Sequence, residues 1–156
     1  MPERRWRKYE VLLRVRKRQE RLKAQALAEV LRGIRSEEAQ RESIAEQQRK
    51  VLMDAGATAR EEFTAAQVHA FFQFERHLAG QAVEKDATVR RLRGVEEVRR
   101  GELDLAMKRR RMIERLSERA RLAYVESVRK AEQKQSDENA GNYAARTTDR
   151  PQGART

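Results

Sequence analysis

The chain has 156 residues, of which 39% are charged and only 5% aromatic, and its 36 Lys and Arg against 25 Asp and Glu leave a net charge of +11. There are two prolines and no cysteine, which excludes a disulfide framework, a thiolate zinc site and a cysteine nucleophile. So little aromatic and so much charged material does not suit a layered core; it suits long helices that each bury one stripe.

The N-terminus, Met1-Pro-Glu-Arg-Arg-Trp-Arg-Lys, is basic in the manner of a signal peptide, but no apolar run of the needed length follows. No stretch approaches the roughly 18 consecutive apolar residues of a membrane span. Neither classical export nor a transmembrane helix is expected.

From there, alternating steps of three and four pick out Leu12, Val15, Gln19, Leu22, Ala26, Val30, Ile34, Glu37, Arg41, Ile44, Gln48 and Val51. The mean step is close to the period of about 3.5 that keeps one helical seam facing a partner. The spacing predicts a first helix over about residues 7–53. Polar seam positions Glu37, Arg41, Arg99 and Arg110 predict a loosely packed, partly wet coil.

A turn is expected at about residues 54–64, where Gly56 suits a helix C-terminus and Thr58 or Thr64 suits the N-cap of the next helix. The second helix is expected over about residues 65–139. Its seam runs Phe71, Phe74, Leu78, Ala82, Lys85, Val89, Leu92, Glu96, Arg99, Leu103, Ala106, Arg110, Ile113, Ser117, Ala120, Tyr124, Ser127 and Ala131. Gly33, Gly80, Gly94 and Gly101 fall inside these helices, as soft spots or as places where another surface approaches. Residues 141–156 have no period and are expected to be a disordered tail. The fold class is therefore all-α: residues 1–140 form an antiparallel coiled-coil hairpin, with the longer second helix overhanging the start of the first.

Charge is uneven along the chain: +7 over residues 1–23, −3 over 24–89, +7 over 90–130 and zero over 131–156. Folding near residue 60 brings the two basic segments together at one end. Like charges side by side repel, and a partner of opposite sign would give the arrangement a purpose; the alternative is a solvated face.

Catalytic signatures are missing. No Gly-x-x-x-x-Gly-Lys-Ser/Thr loop or dinucleotide fingerprint is present. His69 and His77 lack the four-residue spacing that places two imidazoles on one metal. The pairs Glu37-Glu38, Glu61-Glu62 and Glu96-Glu97 diverge by about 100° on a helix and are expected to be exposed. No enzyme activity, metal or cofactor is expected. The run Phe71-Phe72-Gln73-Phe74, with Leu78, is the most apolar patch; Phe71 and Phe74 can face the seam while Phe72 cannot, so the patch either closes the hairpin end or serves interaction.

Near the end of the second helix, Glu114-Arg-Leu116-Ser-Glu-Arg119-Ala-Arg-Leu-Ala-Tyr124, followed by Glu132-Gln133-Lys134-Gln-Ser-Asp137-Glu138, resembles the ending of the FliJ family of the bacterial flagellar type III export apparatus. The opening Tyr9-Glu-Val-Leu-Leu-Arg-Val-Arg, the size and the two-helix pattern are similar too. The resemblance implies a cytoplasmic protein, peripheral at the inner face of the cell membrane. Its hairpin would act as a stalk, entering the hexameric flagellar export ATPase termini end first, promoting ring assembly and coupling it to a transmembrane export-gate protein while escorting export chaperones. On that view Arg14, Arg16, Lys17, Lys108, Arg109, Arg110 and Arg111 contact the ATPase ring, and Phe72, Phe74 and Leu78 contact the gate. The equivalent stalk of a virulence secretion system, a basic coiled coil that binds nucleic acid through phosphates, and a homodimer completing a four-helix bundle are the competing readings.

Overall fold

A computed structural model describes residues 1–58 and 62–149. Residues 59–61 of the expected turn and 150–156 of the expected tail lie outside the described residues. Two helices account for the fold, α1 (Pro2–Thr58) and α2 (Ala65–Thr148), and no strand occurs among the described residues. Proline at the first helical position of α1 is well placed, because its missing N–H would have no intrahelical partner there.

Both helices outrun the bounds expected from spacing. α1 continues through Gly56, which does not adopt the left-handed conformation of a helix C-terminal glycine. α2 continues through Gly141 to Thr148, so the first part of the expected tail is helical and exposed. The start of α2 is fixed by a reciprocal cap: the Gln67 amide donates to Thr64 Oγ1 at 3.3 Å, and the Thr64 amide donates to Gln67 Oε1 at 3.1 Å. This satisfies two amides that a helix start otherwise leaves unpaired.

The chain divides into two compact units, each containing an antiparallel pair of helical segments. Unit 2 (Gln19–Ala106) holds most of the apolar core: Ile34, Ile44, Leu78 and Ala82 are buried, and Ile44, Leu78 and Ala82 form one cluster with Val51 against it. Its helices are also clasped by ion pairs across the seam. Lys85 Nζ meets Glu37 at 2.9 Å, Arg41 Nε meets Asp86 at 3.0 Å, Lys23 Nζ meets Glu102 at 3.4 Å, and Arg93 pairs with Glu38. The polar seam positions are thus occupied by paired charges. Each exposed pair contributes only tenths of a kcal/mol, but together they select one register and one orientation for the two helices.

Glu102 also accepts from Arg99 at 3.1 Å, and the Arg99 hydrogen bond, with Lys23 assisting, holds its carboxyl below the usual range. Because the folded value is lowered, this contribution is complete above the ordinary carboxylate range and fades as pH falls through the folded value. Glu102→Gln is expected to narrow the difference in thermal midpoint between pH 7 and pH 3; an unchanged difference would show that the triad does not couple protonation to folding.

Glycines 94 and 101 face open space, with nothing within 4 Å of an added Cβ. They are soft spots in a helix interior rather than close approaches. Gly94→Ala and Gly101→Ala are each expected to stabilise the protein by about 0.5–1 kcal/mol, read as a rise in the urea midpoint.

Unit 1 (Met1–Arg18 with Met107–Thr156) is packed differently. Trp6 stacks on Tyr124 with ring centroids 5.5 Å apart and planes at 17°, while Ser117 and Ala120 are its buried positions. Small side chains let the helices approach closely there, and the aromatic pair closes the end. Beyond residue 127 every described residue of α2 is exposed, so the C-terminal part of α2 extends past the start of α1 within this unit.

The observed seam corrects the expected one in α1. Leu12 and Val15 are 42% and 47% exposed, and the inward positions in unit 1 are instead Trp6, Tyr9, Leu13 and Arg16. In unit 2 the same one-residue offset holds at first, with Gln19 and Leu22 outward and Glu20 and Lys23 inward, and it closes at Ala26, which is half-buried as expected beside Leu27. From Val30 to Val51 the expected and observed seams coincide, as they do in α2 from Leu78 to Ser127.

Candidate interaction surfaces

The seven cations expected at a partner surface all fall in unit 1. By sequence, that unit carries 21 Lys and Arg against 9 Asp and Glu, a net +12, whereas unit 2 carries 15 against 16, a net −1. The whole positive excess of the protein therefore lies in unit 1. One groove brings together Arg5 and Tyr9 of α1 with Leu116, Arg119 and Ala120 of α2. The register set by that groove and by the Trp6–Tyr124 stack puts residues 14–17 of α1 roughly level with residues 110–116 of α2.

Not all seven point outward. Arg14, Lys17, Lys108, Arg109 and Arg111 are exposed. Arg16 is half-buried in the seam, and Arg110 is half-buried with its guanidinium on Glu114 at 2.8 Å. These two serve the helix pair, because a seam position directs the side chain along the partner helix rather than into solvent.

The apolar patch after the turn is likewise divided. Phe72 and Phe74 are 59% and 48% exposed. Phe71 is half-buried, its ring 5.9 Å from that of Phe72 in an edge-on arrangement. Leu78 does not belong to this surface: at 2% exposure it is the most buried of the described side chains and lies in the core with Ile44 and Ala82. Phe74 also departs from its expected inward position, which Glu75 takes. Leu52, Met53, Phe63 and Val68 are exposed near the same end of the two helices, apolar side chains that spacing along the sequence did not single out.

The motif residues fall into two groups. Leu116 and Tyr124 are half-buried between the helices, Glu114 holds Arg110, and Arg119 lines the groove beside Arg5. Glu132, Gln133, Lys134, Asp137 and Glu138 sit on the exposed part of α2, where Lys134 approaches Glu138 at 3.9 Å. Leu116 and Tyr124 therefore have packing work in the fold, whereas Glu114, Arg119 and the second group present their side chains to solvent.

Compared with known protein families, residues 6–148 match the family described as flagellar FliJ protein. The chain belongs to the FliJ family. This makes it a component of the flagellar export apparatus, and the match spans both units and all the motif residues. No curated protein and no solved structure matches the chain. Among the described residues of this FliJ family member, no helix is long and apolar enough to cross a membrane, and no cluster of His, Asp and Glu could hold a metal ion. The carboxylate pairs are not all exposed as expected: Glu37, paired with Lys85, and Glu96, paired with Arg100, are half-buried because they lie on the seam, whereas Glu38, paired with Arg93, Glu62 and Glu97 are exposed and Glu61 lies outside the described residues.

Proposed function

We propose that the protein is the stalk of the flagellar export ATPase: unit 1 docks in the central hole of the hexameric ring and promotes its assembly and activity, while unit 2 links it to the transmembrane export-gate protein. The observation that carries this reading is the confinement of the net positive charge to unit 1 in a chain of the FliJ family. A cationic helix pair suits an acidic channel, because complementary charge raises the encounter rate and fixes orientation more than it adds affinity. Arg14, Lys17, Lys108, Arg109 and Arg111 supply that charge. The protein works in the cytoplasm at the inner face of the cell membrane, held there by its partners, and escorts export chaperones.

The gate contact is assigned to Phe72 and Phe74 in unit 2. Exposed aromatics of this size act as anchors at interfaces. Replacing both with alanine is expected to leave helicity and the unfolding midpoint within about 0.5 kcal/mol of the original, as for exposed substitutions generally, and to abolish capture of the gate protein's cytoplasmic domain. Retained capture would remove these rings from the interface. The ring contact is tested by charge reversal at Arg109 and Arg111, measured as binding to the flagellar export ATPase.

A further inference from the structure

Where α1 turns Leu13 and Arg16 inward, it leaves Val11, Leu12 and Val15 exposed at 53%, 42% and 47%. Arg4, Lys8 and Arg18 share that face at helical spacing. Glu3 and Glu10 lie about 110° or more round the helix from the middle of that face, and Glu3 is engaged by Arg7 at 2.7 Å. The face adjoins a second cationic surface. Arg5, which precedes Lys8 by one turn, lines a groove with Arg119 and Leu116. Those same two residues line a neighbouring groove with Lys108, Arg111, Met112 and Arg115. No acidic residue lines either groove, and Met112 beside them is 60% exposed.

We infer that this face of unit 1 binds directly to the surface of an anionic phospholipid bilayer. A second copy is disfavoured as the occupant, since self-pairing would set Arg4, Lys8 and Arg18 against their own kind. A partner helix is disfavoured too. The aliphatic patch on α1 covers only residues 11–15, less than two turns, whereas a helical zipper needs a stripe sustained over several heptads. A few aliphatic side chains set among many cations is the pattern of an interfacial helix surface, with the aliphatics entering the headgroup boundary and the cations at phosphate level. Attachment of this kind needs no membrane-crossing helix. The inference goes beyond the ring contact and does not depend on it; a bilayer on this face would exclude the ring, so the two engagements alternate.

The test is co-sedimentation of the full chain with vesicles of phosphatidylcholine alone and of phosphatidylcholine with phosphatidylglycerol at 3:1, in 100 mM salt. Binding to the anionic vesicles at least about a hundredfold tighter than to the neutral ones is expected from several cations acting together. The Val11→Ser, Leu12→Ser, Val15→Ser triple variant keeps every charge and removes only exposed side chains. It is expected to bind the anionic vesicles about tenfold more weakly with unchanged helicity by circular dichroism. Arg115→Gln with Arg119→Gln provides an independent arm and is expected to weaken binding as well. Equal binding to both vesicle types, no binding to either, an unaffected triple variant, or full release from the vesicles by polyglutamate at matched charge would each overturn the inference, the last by pointing to an acidic protein instead.

Discussion

Leu78→Ala is expected to lower the stability of unit 2 by about 2–4 kcal/mol, more than truncation of the other members of its buried cluster. Leu78 is 2% exposed and packs with Ile44 and Ala82, with Val51 against them. A pair of helices has few such positions. The residues around the site are branched or small, so little can move in to fill the space, and the lost side chain costs both its burial and the cavity it leaves. Urea unfolding followed by circular dichroism should show the midpoint fall with an unchanged slope. Val83→Ala, at a position 66% exposed, serves as the control and should stay within about 0.5 kcal/mol of the original. Equal effects at the two positions would mean that the Leu78 cluster does not hold unit 2 together.

The second large effect is functional. Arg109→Glu with Arg111→Glu is expected to weaken association with the export ATPase by about a hundredfold or more, mostly through slower encounter. The double reversal lowers the net charge of unit 1 by four. Both side chains are exposed, and neither forms an ion pair among the described residues, so helicity should persist. Arg110 is left in place, because Glu114 would lose its partner at 2.8 Å and the variant would then confound docking with packing. The association rate of the unaltered protein should fall as salt is raised from about 50 to 200 mM, within which range the screening length shortens to below 10 Å, and the reversed variant should show a shallower dependence. Identical affinities for the two proteins would remove these arginines from the ring contact.

Much of the fold was legible because a heptad seam is a local, repeated signal. From Val30 to Val51 and from Leu78 to Ser127 the apolar spacing marks the inward face. The misplacement at the start of α1 has a definite physical cause. Leu12, Val15 and Leu22 are more apolar than Leu13, Arg16, Glu20 and Lys23, so hydrophobicity alone favours the wrong track by one residue. What turns the second set inward is partly a partner that local spacing cannot reveal: Lys23 reaches Glu102, 79 residues away in sequence. Two consecutive steps of four, from Leu22 to Ala26 to Val30, are where the expected track leaves the even heptad that passes through Leu27.

The candidate surfaces were legible to different degrees. Segment charge located the cationic part of the protein correctly, since net charge is a sum that does not depend on which way each side chain points. It could not separate the exposed Arg109 and Arg111 from Arg110, which faces the seam and holds Glu114. The Phe72, Phe74 and Leu78 set mixed two environments: Phe72 and Phe74, six and four positions before Leu78, share its helix, yet Leu78 lands on the core seam while both rings turn outward. Thr64 was legible as one of two N-cap candidates from residue type, while its reciprocal partner Gln67, three residues on, is supplied by the structure.

The most direct test of the stalk reading is the assembly and activity of the cognate flagellar export ATPase in 150 mM salt, with and without this protein. Hexamer formation and faster ATP hydrolysis at less than one copy of the protein per ATPase subunit are the predicted result. An ATPase whose assembly and turnover are unchanged by a stoichiometric excess of the protein would contradict it.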